Sequence, residues 1–159
     1  MASPQAIECR DLGGQAPLHY AVQRKGEVVK LVIPILATGH STLLGSDMQG
    51  RTPLHIAVLQ NSVDAVDQLL KTSSSLGMLK LVLSARDTKG RTCLHYAAQQ
   101  HLVDLVGRVV GDEEIANMAD FQGSTALHLA ASHEGNSNDS FDQIQVLIVL
   151  ATNSTSVCQ

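Results

Sequence analysis

The stretch DMQGRTPLHIAV (residues 47–58) recurs with small changes four times in this chain of 159 residues. Its other copies are DLGGQAPLHYAV from Asp11, DTKGRTCLHYAA from Asp87 and DFQGSTALHLAA from Asp120. The leading aspartates are 36, 40 and 33 residues apart. A recurring period in this range indicates a solenoid of short units, each of which buries its apolar face against its neighbours.

Each part of the repeated phrase has a structural reason. Its first Asp and the Gly three residues later frame a tight turn, because Asp hydrogen-bonds the backbone two residues on and Gly tolerates positive φ. The Thr of three copies is expected as a helix N-cap, and Pro17 and Pro53 suit the first helical position, where no N–H is needed. A first helix is therefore predicted to begin after Ala16, Thr52, Thr92 and Thr125.

A second apolar segment follows each first helix after a polar break. These segments are Val28–Leu36, Val63–Leu70, Leu102–Val110 and Ile144–Leu150.

In the first helices, one large and two small apolar residues, such as Leu94 with Ala97 and Ala98, allow neighbouring helices to approach closely. Two helices per unit are predicted.

The four phrases resemble the repeating unit of the ankyrin-repeat family and extend over nearly the whole chain. The resemblance implies an all-α solenoid of four helix-turn-helix repeats with short β-hairpin turns and a concave binding face. The predicted repeats are 11–46, 47–86, 87–119 and 120–151, and residues 1–10 and 152–159 are expected to be flexible termini.

Four departures from a regular pattern are visible. Residues 73–86 lengthen the second repeat and are apolar, so an extended second helix or an extra packed turn is expected there. Residues 134–140 of the fourth repeat are rich in Gly, Asn and Ser and predict an exposed loop. Pro34 is expected to end or kink its helix near Ile33. Residues 144–151 are apolar nearly all round, which predicts that further repeats or another chain cover them.

Composition narrows the functional classes. The net charge of −4 and the 3% of aromatic residues disfavour nucleic-acid binding. The apolar runs are too short to span a membrane. Three widely spaced cysteines without CxxC spacing, and no secretory signal pattern, predict a reducing compartment, the cytoplasm or the nucleus.

No catalytic pattern is present, so we do not expect an enzyme or a cofactor. His19, His55, His95 and His128 recur in register, but equivalent helices lie about 8–10 Å apart, too far for one zinc ion. The resemblance implies instead that these histidines hydrogen-bond within and between turns. Cys93, at the start of a helix beside His95, is expected to be an inert, partly buried thiol rather than a reactive one.

The resemblance also implies a partner-binding surface at the turn tips and at the ends of the first helices. Besides Leu12 and Gln15 of the first repeat, the candidate residues are Met48, Gln49, Arg51, Gln60, Thr88, Lys89, Arg91, Gln99, Gln100, Phe121, Gln122 and His133. Tyr20 and Tyr96 are either contact aromatics or part of the groove between helices. The row combines exposed apolar residues with a stripe of basic residues, so the expected partner is a protein with an acidic or polar segment.

Three functions follow from these observations. The first is a general protein-interaction module, a scaffold or signalling regulator. A narrower form resembles the IκB-like ankyrin domains that regulate Rel-family transcription factors, because the lengthened second repeat and the insertion in the fourth are similar to irregularities in those proteins. The alternative is a regulatory segment of a larger enzyme or channel, which the apolar last segment favours.

Overall fold

The computed structural model describes residues 4–24, 26–100, 102–110, 113–132, 146 and 148–152. Its elements are helices joined by tight turns. In chain order they are α1 Pro4–Glu8, α2 Pro17–Ala21, α3 Glu27–Leu36, α4 His40–Leu43, α5 Pro53–Leu59, α6 Val63–Ser75, α7 Leu79–Ser84, α8 Cys93–Gln99, α9 Val103–Val109, α10 Glu113–Ala116 and α11 Ala126–Ser132. Residues 146 and 148–152 are helical as well.

The helices form two layers along the stack. In the first layer, α2 contacts α5, α5 contacts α8, and α8 contacts α11. In the second layer, α3 contacts α6 and α6 contacts α9. The first helices α2, α5 and α8 also pack on the second helices of their own repeats, α3, α6 and α9. This arrangement confirms the predicted all-α solenoid.

One apolar core runs through all four repeats. Leu18, Leu54 and Leu94, at the same position of successive repeats, have at most 1% of their surface exposed. Ala97 and Ala98 are fully buried beside Leu94, as the pattern of one large and two small residues predicted. Burying a leucine side chain stabilises a fold by about 1.5–3 kcal/mol, so this spine supplies much of the stability.

A third short helix follows the predicted pair in each of the first three repeats: α4, α7 and α10. The lengthened second repeat shows both expected features, because α6 continues to Ser75 and α7 then packs Val82 and Leu83 into the core. The expected loop at residues 134–140 lies outside the described residues.

Two details differ from the sequence-based expectations. Of the two effects expected of Pro34, an end of α3 near Ile33 is not observed, because the helix continues to Leu36 and the carbonyl of Ile33 still accepts a hydrogen bond from Ala37 at 2.8 Å. A kink there stays a prediction. Residues 4–8, expected in a flexible terminus, form α1, which packs on α2 and α4.

Candidate functional site

The turn that opens each repeat is closed by its first Asp. In the second repeat, Oδ1 of Asp47 accepts hydrogen bonds from the amides of Gln49 and Arg51, each at 2.9 Å. The Asp47 amide donates to the carbonyl of Arg51 at 3.0 Å, so the two arms of the turn pair like a short hairpin. The aspartates of the other repeats make equivalent bonds at Asp11, Asp87 and Asp120. Each turn is therefore held in one conformation.

Backbone hydrogen bonds also join each turn to the next one. The amide of Met48 donates to the carbonyl of Gly13 at 3.0 Å, that of Thr88 to Gln49 at 3.1 Å, and that of Phe121 to Lys89 at 3.0 Å. In the described part of the chain, β-bridge pairing is limited to Ala119 with Thr125. The four turns thus form a continuous ladder, with the residue after each Asp at its outer edge.

Gly50 shows why the turn glycines are required. Its φ is +75°, a backbone conformation that residues with a Cβ rarely adopt. A Cβ added there would also lie only 2.7 Å from the Thr88 amide nitrogen of the next turn. The glycine therefore permits both the turn and the close approach of its neighbour.

The motif histidines connect the turns from inside. Nδ1 of His55 accepts the Thr52 amide at 3.2 Å and lies 2.8 Å from the Thr52 hydroxyl, while its Nε2 lies 3.1 Å from the carbonyl oxygen of Arg91. His19 and His95 reach the carbonyl oxygens of Arg51 and Ser124 in the same way. Because an amide must donate to Nδ1, the proton of the neutral ring is on Nε2 and points to the next repeat.

This arrangement requires neutral histidines. Burial lowers the pKa of His19, His55 and His95, and the carbonyl oxygens that they contact oppose the shift only in part. All three side chains are fully buried. In the part of the chain described by the structure, no three His, Cys, Asp or Glu residues are grouped so that they could hold a metal ion.

Large apolar side chains project from three of the four turn tips. Leu12, Met48 and Phe121 each follow the first Asp of a repeat, and their exposed fractions are 96%, 75% and 74%. Thr88 occupies the same position in the third repeat and is also exposed. We call Leu12, Met48, Thr88 and Phe121 the tip row. Exposed apolar side chains that share one surface mark sites of protein–protein interaction.

The other candidate residues divide into exposed and partly buried ones. Gln49, Gln60, Lys89, Gln100 and Gln122 are exposed. Gln15, Arg51, Arg91 and Gln99 are partly buried, and His133 lies outside the described residues. The structure therefore places the exposed candidates of the turns along one edge of the stack.

Arg51 is held by its own turn. Its Nε and Nη2 atoms donate to Oδ2 of Asp47 at 2.9 and 2.7 Å, and its side chain is only 25% exposed. Burial acts to raise the pKa of Asp47, but the hydrogen bonds from the side chain and backbone of Arg51 and from the backbone of Gln49 outweigh it and lower the pKa. The charge of Arg51 is thus neutralised within the repeat.

Arg91 is similarly engaged. Its Nε lies 3.5 Å from Oδ2 of Asp120 in the next repeat, its guanidinium lies 5.9 Å from the centre of the Tyr96 ring, and its side chain is 18% exposed. A long hydrogen bond of 3.4 Å joins it to Gln99. Of the three cations in the predicted basic stripe, Lys89 alone is exposed.

These ion pairs change one sequence-based expectation. The sequence indicated that Arg51 and Arg91 belong to a basic stripe open to a partner, and replacing exposed cations of that kind has little effect on thermal unfolding. The structure places both guanidinium groups beside buried carboxylates, so a Glu there would bring like charges together and reduce stability.

A second role of arginine was not predicted from the sequence. Arg10 and Arg86 each directly precede a motif Asp, and they donate to the carbonyl oxygens of Ser46 and Ala119, which directly precede the Asp of the next turn. Each also donates to the carbonyl oxygen of the Gly in the turn that it precedes, Arg10 to Gly14 at 3.2 Å and Arg86 to Gly90 at 3.1 Å. The sequence feature that indicates these contacts is the Arg directly before the motif Asp of the first and third repeats.

The tyrosines belong to the turns. The hydroxyl of Tyr20 donates to Asp11, and that of Tyr96 donates to Asp87. Tyr96 also meets His55 edge to face, with ring centres 6.0 Å apart. Burial and the contact with Asp87 raise the pKa of Tyr96 to about 12. Tyr20 is exposed and Tyr96 is partly buried. The two tyrosines therefore do not share one role, either as contact aromatics or as part of the groove between helices.

Cys93 is fully buried rather than partly buried. Its Sγ atom lies 4.0 Å from the carbonyl oxygen of Leu83, and burial raises its pKa to about 12. The thiolate is therefore disfavoured at neutral pH, which supports the prediction of an inert thiol.

The comparisons agree with this architecture. A family model described as ankyrin repeats (3 copies) matches residues 2–78 and 73–153. The chain therefore belongs to the ankyrin-repeat family, whose members generally mediate protein–protein interaction. Comparison with curated proteins gives no significant match. Within the described ranges, no helix is both long enough and apolar enough to cross a lipid bilayer.

Proposed function

We propose that this chain is a non-catalytic interaction module that holds a partner protein on the surface formed by its tip row and the ends of its first helices. The observation that carries the proposal is the exposure of Leu12, Met48 and Phe121 at equivalent positions of hydrogen-bonded turns. Such residues contribute nothing to the core, and a rigid frame reduces the entropy lost on binding.

The polar neighbours of the tip row fit the same role. Gln49 and Gln122 directly follow the apolar tips in the chain, and Gln100 lies at the end of α8. All three are exposed and can form the polar rim that surrounds the apolar centre of a protein interface. The buried aspartates and histidines of the turns already make hydrogen bonds within and between the repeats, so binding does not have to satisfy them. We place the interaction in the cytoplasm or the nucleus, which suits an odd number of widely spaced cysteines.

The test compares two variants that each replace three exposed apolar residues by serine. One variant carries Leu12→Ser, Met48→Ser and Phe121→Ser. The control carries Val28→Ser, Leu31→Ser and Ile35→Ser on α3, where all three side chains are also exposed. Proteins captured from lysate by the immobilised native chain should be lost with the first variant and retained with the control, at equal thermal stability. Equal capture by both variants would contradict the proposal.

Two narrower functions, an IκB-like role and a role as a segment of a larger protein, can be tested separately. A purified Rel homology domain is one defined candidate, and its binding to the native chain but not to the tip-row variant would support an IκB-like role. A segment of a larger enzyme or channel would instead bind another part of its own polypeptide, which crosslinking in the full-length protein would detect.

A further inference from the structure

The chemistry of the tip row indicates what kind of segment it binds, an inference that rests on the proposed function. Along the row, one polar position interrupts the apolar side chains. Met48 and Phe121 are apolar and lie two repeats apart, and between them are Thr88 and the cation Lys89. Leu12 adds another apolar group one repeat before Met48.

Of the three cations of the predicted basic stripe, two are paired with carboxylates. Arg51 is paired with Asp47 and Arg91 with Asp120, and both arginines are largely buried. Among the described residues, Lys89 has no ion pair, and its side chain is exposed at the centre of the row. The whole chain carries a net charge of −4. A long acidic segment would therefore be repelled overall, whereas a single carboxylate finds one complementary charge.

The ladder fixes the distances between these groups. Each turn contributes two extended arms, which in the second repeat are joined by the bond from the Asp47 amide to the Arg51 carbonyl. Because neighbouring strands lie just under 5 Å apart, equivalent tips of neighbouring repeats are separated by two strand spacings, about 10 Å. Met48 and Phe121 are then about 20 Å apart, a distance that an extended chain spans in about six residues at about 3.3 Å per residue. Lys89 faces the middle of that span.

We propose that the tip row binds an extended polypeptide segment that carries two apolar side chains about six residues apart with one Asp or Glu midway between them. The apolar side chains contact Met48 and Phe121, and the carboxylate pairs with Lys89. In the bound segment, a further apolar residue about three positions beyond the one that contacts Met48 reaches Leu12.

Nucleic acid does not fit this surface. Binding to phosphates requires several available cations, because affinity comes from neutralising a row of charges. Here two of the three cations of the predicted basic stripe are paired with buried aspartates, and three of the four tip-row side chains are apolar.

The experiment selects binders from a phage-displayed library of random 12-residue peptides on the immobilised full chain. Sequences with the proposed spacing should be enriched. The matching synthetic peptides should bind the native chain, lose at least tenfold in affinity with Met48→Ser plus Phe121→Ser, and keep their affinity with the α3 control variant.

A charge exchange tests the central contact. Lys89→Glu should weaken binding of the acidic peptides by threefold or more, and replacing their Asp or Glu by Lys should restore binding to this variant. Because Lys89 is exposed and has no ion pair among the described residues, the substitution should leave the thermal unfolding curve unchanged.

Several results would overturn the inference. Enriched peptides without the spacing, no enriched peptide at all, or acidic peptides indifferent to Lys89→Glu would each contradict it. If such peptides or captured proteins still depend on the tip row, the proposed function stands and only the partner chemistry fails. If neither depends on the tip row, both fail.

Discussion

Nε2 of His55 lies 3.1 Å from the carbonyl oxygen of Arg91, a residue 36 positions later in the chain and in the next repeat. The same ring accepts the amide of Thr52 in its own repeat. One buried side chain therefore satisfies a donor in one repeat and an acceptor in its neighbour. Stacking of the repeats depends on such bonds as well as on the apolar core.

Replacing His55 by leucine should strongly destabilise the protein. The amide of Thr52 would lose its acceptor, and an unsatisfied buried group costs about 1–3 kcal/mol. The carbonyl of Arg91 would lose its bond across the repeats and keep only the one from the amide of Asp87. We expect a loss of about 2–4 kcal/mol in the free energy of unfolding, measured by urea denaturation. His128→Leu is the control: His128 is exposed, and the described residues provide no contact for its Nε2. A loss at His55 no larger than at His128 would show that the inter-repeat bond contributes little.

Stability should also fall as the pH is lowered below about 6.5. The folded state lowers the pKa of His19, His55 and His95, so the unfolded chain, with a histidine pKa near 6.5, binds more protons below that pH. Each histidine then contributes a slope of up to about 1.4 kcal/mol per pH unit. The aspartates of the turns, whose pKa values are lowered, lose their contribution only at more acidic pH. The free energy of unfolding at pH 7.5, 6.5 and 5.5 tests this, and equal values would refute it.

Two turn glycines provide a matched test of the ladder. Gly50 and Gly123 have similar positive φ values of +75° and +80°, but only Gly50 faces a close neighbour, the Thr88 amide nitrogen. Gly123→Ala should cost about 1 kcal/mol from backbone strain alone. Gly50→Ala should cost about 2–4 kcal/mol, because the next turn must also shift. Equal losses in chemical denaturation would mean that the turns are not packed as described.

Arginine and lysine at the turns should respond differently to charge reversal. Arg51→Glu removes a bidentate contact with Asp47 and places a second carboxylate beside it, so we expect a loss of about 1–3 kcal/mol. Lys89→Glu, at an exposed position, should change the free energy of unfolding by less than about 0.5 kcal/mol. Thermal and urea unfolding of the two variants provide the measurement. A stable Arg51→Glu protein would contradict the assigned role of the ion pair.

Cysteine labelling distinguishes the buried thiol from the exposed one. In a Cys158→Ser variant, a thiol reagent at pH 8 should modify one cysteine quickly, the exposed Cys9, and leave Cys93 unmodified. Denaturation should release the second thiol. Rapid modification of both in the native protein would show that Cys93 is not enclosed by the core.

The repeated phrase contains enough information to predict the turns, the first helices and the core. Leu18, Leu54 and Leu94 are buried because the helical period places them on one face, and the Asp and Gly positions follow from local turn chemistry. Local rules of this kind act within a few residues. Sequence reasoning can therefore apply them without knowing the rest of the fold.

Contacts between repeats were harder to predict. Arg91 meets Asp120, and Arg86 meets the carbonyl of Ala119, only because the following turn lies beside them. The spacing of the repeats does not specify which cations are neutralised in this way. The predicted basic stripe consequently contained two arginines that the structure shows to be paired, whereas the exposed apolar tips Met48 and Phe121 were recognised from their positions alone.

Amide hydrogen exchange measured by NMR tests the central claim, that the turns are locked together into a rigid row. The amides of Met48, Thr88 and Phe121 donate to the preceding turn, whereas that of Leu12 has no acceptor within the described residues. We predict that the first three exchange slowly, as amides inside the helices do, and that Leu12 exchanges near the rate of an unfolded peptide. Rapid exchange at all four positions would contradict the account.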